Sequence, residues 1–216
     1  MTRKELIKRY FVFFIGLLLT SFGVAFVTKT SLGTSPIAAI PYSLSLVLPQ
    51  LSMGTWVVLF NLLLVVIQCL IERKNAVKFQ VLFEVIIAFL FGYGVDLSML
   101  CLQFLSPEHY VAKLISLVIG SGILAFGAFL EVTANVTMLP GDAFVNAIAR
   151  PLHKEFGGVR TVSDLTMAIL AAVICLLCLH KLSGVREGTI IAALLVGNLV
   201  RLYARIFSGA TRKWFV

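Results

Sequence analysis

Ser31–Ser45 reads SLGTSPIAAIPYSLS and Asn135–Arg150 reads NVTMLPGDAFVNAIAR. Each follows a long apolar run that carries Phe-Gly, in SFGVAF at Ser21–Phe26 and in AFGAFL at Ala125–Leu130. Laid over each other without a gap, Phe22 falls on Phe126, Gly23 on Gly127 and Pro36 on Pro140, at a constant offset of 104. Further on, Gly54 falls on Gly158. Few other letters agree. The ones that do include the glycines and prolines, which dictate backbone rather than packing, and they point to a duplicated unit.

The first of these stretches is also too short to span a bilayer. Ile37–Leu48 is apolar but broken by Pro41 and followed by Pro49. A helix of that length cannot cross roughly 30 Å of hydrocarbon. It suits a half-helix that dips in and returns. Such backbone is tolerated at membrane depth only where protein or a water-filled cavity surrounds it.

The rest of the chain has the composition of a membrane protein. Of 216 residues, 60% are hydrophobic and only 13% charged, and long runs are nearly free of charge. Spanning helices are predicted at Tyr10–Val27, Gly54–Ile71, Phe79–Leu97, Lys113–Glu131, Thr161–Leu179 and Thr189–Phe207. The fold class is therefore all-α, a single polytopic membrane domain over 1–216. No small-residue cleavage site ends the first run, which reads as an uncleaved helix. The net charge of +8 reads as a basic cytoplasmic rim, not a nucleic-acid footprint. Cys175 and Cys178 form C-x-x-C inside the apolar run AAVICLLCLH, without the polar neighbours that redox or metal chemistry needs.

Orientation follows from the basic residues. With a cytoplasmic N-terminus and non-crossing half-helices, only Lys29, Lys113, Lys181 and Arg186 of the 18 lysines and arginines face outward. The inner set includes Arg3, Lys4, Lys8, Arg9, Arg73, Lys74, Lys78, Arg212 and Lys213. Both termini are then cytoplasmic. Each repeat, about 10–98 and about 113–207, contributes three crossings. An odd number forces the second copy to enter from the opposite side. That is an inverted-topology repeat, an architecture of many secondary transporters.

The half-helix starts are the main site candidates. In Gly33-Thr34-Ser35-Pro36, Ser or Thr can cap and Pro suits the first helical position. Pro140-Gly141-Asp142 repeats the placement. Two such N-termini facing a ligand would offer N–H groups and partial positive charge. Tyr42 and Asn146 follow the two prolines at the same spacing and are substrate-binding candidates. With one residue of slippage, through Gly157, Asn61 aligns with Asp164. Asp142, Asp164 and Glu131 are the candidates for ion or proton coupling, because ionisable groups inside apolar helices are costly. Glu84 is expected to snorkel or to pair with Lys78. Gly120 and Gly122 offer a close-packing face for a homodimer. No nucleophile with a base partner, no metal motif and no cofactor motif can be assembled, so no enzyme is expected.

SLGTSP after an FG-containing helix, PGDAF half a chain later, and the Gly188–Asn198 run resemble the YczE/YitT-type family of small bacterial integral membrane proteins. The resemblance covers nearly the whole chain. It implies a bacterial plasma-membrane location and brings no catalytic residue or substrate.

The expected function is a small secondary transporter with a midplane site between inverted repeats, acting on a small organic anion or zwitterion. Membrane lipid and a small-molecule substrate are the expected partners, without nucleic acid. The alternatives are a substrate-binding membrane subunit of an ATP-driven uptake system, a channel or lipid scramblase, and an accessory protein to a biosynthetic enzyme.

Overall fold

Six long helices and two short ones follow from that pattern. The computed structural model describes residues 3–72 and 78–215. The long helices are α1 (Arg3–Lys29), α3 (Met53–Glu72), α4 (Lys78–Cys101), α5 (Tyr110–Ala134), α7 (Phe156–Leu179) and α8 (Glu187–Phe215). All six are long and apolar enough to cross a membrane. The short helices are α2 (Pro36–Val47) and α6 (Pro140–Ala149). Their 12 and 10 residues rise only about 18 and 15 Å, too little to span. Both start at their proline, as the sequence implies.

The helices overrun their apolar windows. α1 begins at Arg3 rather than Tyr10, and its first turns carry a Glu5–Arg9 pair at 3.0 Å. Such i,i+4 pairs support helix outside the apolar zone. α1 and α5 both give way to a left-handed residue, Ser31 (φ 58) and Asn135 (φ 48), which stand at the same offset of 104. Of the expected basic rim, Arg73 and Lys74 lie outside the described residues, as do the side chains of Lys78, Arg212 and Lys213.

The core is an antiparallel crossing of α1 on α5. Arg9 donates to the Ala134 carbonyl at 3.1 Å near one end, and Val27 meets Gly120 toward the other. Small residues allow the approach. A side chain at Gly23 would sit 2.6 Å from the Leu124 backbone, and one at Gly127 equally close to Thr20 N. Exchanging the helices at the 104 offset maps Gly23–Leu124 onto Thr20–Gly127. The same exchange maps Gly16–Glu131 onto Val27–Gly120. Gly120 and Gly122, expected to face a second copy, instead face α1 and Tyr203 of α8 within this chain. The close-packing face is used internally.

The remaining contacts pair off in the same way. α4 packs on α1 as α8 packs on α5, and α2 packs on α7 as α6 packs on α3. α2–α3 matches α6–α7, and α2–α8 matches α4–α6. The largest departure is at α3–α4. α3 lies firmly on α4, with Gly54 against Gly92, while among the described residues α7 has no comparable contact with α8. At Gly157 and Gly197, on α7 and α8, an added side-chain carbon would meet nothing within 4 Å.

Candidate functional site

The two short helices meet at their first turns. A side chain at Gly141 would run into Ile37, and these two residues are themselves 104 apart. The residues before the prolines, Ser35 (ψ 148) and Leu139 (ψ 151), are both extended, as a pre-proline residue must be. Neither caps its helix through a side chain. The Ser35 hydroxyl is buried and has no partner among the described residues.

Beside this junction lies a cavity of about 590 Å³ between α2, α3, α6 and α7. Most of its wall residues fall in pairs at a near-constant offset. Ile40 and Leu44 of α2 face Phe144 and Ile148 of α6 at the offset of 104. Trp56, Leu59, Phe60, Leu63, Leu64 and Ile67 of α3 match Val159, Val162, Ser163, Thr166, Met167 and Leu170 of α7 at an offset of 103. Asn61 and Asp164 stand at the same offset of 103 as these wall residues. Only Ser163, Thr166 and the Trp56 indole bring polar side-chain atoms. A bare charge on this wall would lose its hydration without replacement. Leu59, Leu63, Val162 and Leu170 line the cavity and are also exposed outward, so the cleft between α3 and α7 opens sideways.

Beside the cavity, the charged residues lie in the second half of the chain. Arg160 binds Asp142 on α6 and reaches Asp164 at 3.9 Å, one turn along α7. One guanidinium is thus shared between two carboxyl groups. Val159 and Ser163, the chain neighbours of Arg160 and Asp164, stand in the cavity wall. Glu131 lies deep in the α1–α5 crossing, where Thr20 Oγ1 donates to it at 2.7 Å. The matching residues of the first half are Val27, Ala38, Val57 and Asn61, all uncharged.

The other expected site residues have structural partners. The Thr34 hydroxyl meets Thr28 at 2.7 Å, and Thr34 N–H donates to Thr189 at 3.2 Å. Gly33 sits against Thr189 with φ 117, a conformation that favours glycine. These contacts fasten the approach to α2 onto the start of α8. Pro36 begins α2, Pro140 is buried beginning α6, and Tyr42 packs against the main apolar core. Asn61 Nδ2 donates to its own helix at Val57 O, 2.8 Å away. Among the described residues Asn146 Nδ2 reaches only Met138 Sδ, at 3.8 Å. None of them lines the cavity. Glu84 neither snorkels nor reaches the rim. It is 5% exposed and accepts from Gln68 Nε2 at 3.3 Å. Burial on α3 draws it inward.

Six spanning helices and two buried short helices around an apolar cleft define a multi-pass α-helical membrane protein. Its family model matches residues 7–205, and the chain belongs to the family of unknown function DUF6198. It is 27% identical over 199 residues to the "Uncharacterized protein YyaS" of Bacillus subtilis (strain 168), covering 92% of this chain and 93% of that one. It is also 27% identical over 201 residues to the "Uncharacterized membrane protein YczE" of the same organism, covering 92% and 86%. That agrees with the YczE-type resemblance in the motifs. No solved structure matches.

Proposed function

We propose that the protein is a small secondary transporter of a bacterial plasma membrane. Two inverted repeats carry α2 and α6 as re-entrant half-helices, and the substrate passes through the cavity on their approximate twofold axis. The observation that carries this reading is the cavity wall, whose residues pair across the duplication beside touching half-helix tips. A site shared equally by two repeats is what alternating exposure requires. The antiparallel α1–α5 crossing supports inversion, and the bias of basic residues supports cytoplasmic termini.

The substrate is a small organic anion or zwitterion with an apolar body. Aliphatic walls favour the body. The two carboxyl groups at Arg160, one chain position from the wall residues Val159 and Ser163, support a cationic group on the substrate. Asp142, Asp164 and Glu131 supply ion or proton coupling. No catalytic step is part of this reading. In a homodimer, α7 and α8, the least buried spans, are the faces left for the second copy.

A lipid scramblase is the second reading, favoured by the sideways opening between α3 and α7. Purified protein in liposomes separates the two. Uptake of labelled amphipathic zwitterions, driven by a proton gradient and lost in Asp164→Asn, is the expected result. Gradient-independent movement of labelled lipid would favour the second reading. Labelling of Ser31→Cys and Asn135→Cys by impermeant reagents tests inversion. The two sites should be reached from opposite sides, and labelling from one side removes the repeat argument.

A further inference from the structure

Gln68 of α3 and Glu84 of α4 face each other in the helix pair that packs only in the first half of the chain. Both are at least nine-tenths buried, at 4% and 5% exposure. Gln68 Nε2 donates to Glu84 Oε1 at 3.3 Å. The two remaining atoms, Gln68 Oε1 and Glu84 Oε2, are buried and have no partner among the described residues. Both are acceptors if the carboxyl is ionised. Two buried acceptors facing no donor are an expensive arrangement, and the ionised carboxylate adds the cost of an unpaired charge.

A single proton resolves both. Placed on Glu84 Oε2, it converts that atom into a donor on the carboxyl that already holds the amide, whose carbonyl is unsatisfied. The amide then gives one hydrogen bond and receives one, and the carboxylic acid does the same. We propose that Glu84 is a proton-binding site, held in its neutral form by Gln68, and that this reciprocal pair fastens α3 to α4. Loss of the proton leaves two acceptors opposed in an apolar interface, so α3 loosens from α4.

The surroundings of the pair offer no counter-charge among the described residues. On α3 the titratable neighbours are Glu72 and Cys69. On α1, Tyr10 packs on Phe83, next to Glu84. Glu5 and Arg9, further along α1, pair with each other. On α6 the acidic residue is Asp142, which Arg160 occupies. On α4 itself Asp96 lies more than three turns away, binding Gly54 N–H at 2.7 Å.

Protonation is read without any substrate, so it stands apart from the transport reading. Infrared spectra of the protein in lipid nanodiscs should show a protonated-carboxyl band that is lost in Glu84→Gln. Gln68→Leu should shift that band, because the acid loses its acceptor, which gives a second readout should the first variant not fold. Nitroxides at Leu70→Cys and Leu82→Cys, in a chain with the native cysteines replaced by alanine, report the α3–α4 distance. It should lengthen at alkaline pH as the band disappears. In Glu84→Gln it should not respond to pH, since paired amides keep both bonds without titrating. A wild-type spectrum whose protonated-carboxyl bands are unchanged by both substitutions overturns the proposal, as does an undiminished pH response in Glu84→Gln.

Discussion

Ile37→Cys combined with Gly141→Cys, in a chain whose native cysteines are alanine, should close a disulfide on mild oxidation. A Cβ at Gly141 falls 3.3 Å from Ile37 Cγ1. One further bond puts the two Cβ atoms about 4.5 Å apart, at the edge of what the bond takes. The bridge encloses 105 residues, numbered 37 to 141. Chain entropy gives about 4.7 kcal/mol for a loop near that length. A bilayer or micelle already confines the unfolded chain, so about 2 kcal/mol is the expected gain, part of the chain-entropy value. It is measured as the rise in SDS fraction needed to unfold the oxidised protein over the reduced one. A protease site inserted between residues 102 and 109 reports the bond directly, because the fragments migrate together until reduced. Two thiols that both react with maleimide yet never cross-link would mean the half-helix tips are apart, and the shared cavity with them.

Gly23→Val should cost about 1–3 kcal/mol in SDS unfolding, because the added carbons meet the Leu124 backbone and the α1–α5 crossing must widen. Arg160→Gln should cost about 1 kcal/mol, since Asp142 and Asp164 are partly exposed and water shares their charge, with Arg160→Lys recovering part of the loss in the same assay. Asp96→Ala removes the acceptor of Gly54 N–H at the start of α3, and about 1–2 kcal/mol should be lost, seen as faster hydrogen exchange in that first turn.

The helices are legible in the sequence because lipid imposes a length and a hydropathy on every span. The offset of 104 is legible because Pro36, Pro140, Gly23 and Gly127 act on the backbone and stand at it in both halves. The offset of 103 can also be read, since the adjacent Gly157 and Gly158 offer two registers against Gly54. The cavity wall is harder. Ile40, Leu44, Phe144 and Ile148 are apolar residues in apolar segments, and inside a membrane protein hydrophobicity does not say which face looks inward. Extending the offset past Asn146 and Asn61 is the signal that finds them. Candidates singled out by polarity, such as Thr34 and Asn61, are satisfied by a neighbouring threonine and by their own helix. Gln68 and Glu84 lie on different helices, and only packing brings them together.

Gly157 and Gly197 lie bare on two helices with no firm contact between them, while Gly54 and Gly92 are pressed together on their counterparts. Under the proposed transport cycle, that open seam is where a second resting shape would close, with α7 on α8 and α3 swung free. A methyl group on either bare glycine would go unnoticed in the present shape and obstruct the other. Gly157→Ala and Gly197→Ala should therefore fold as well as the native chain while trapping it on one side of its stroke, visible as a narrowed spread of α7–α8 distances.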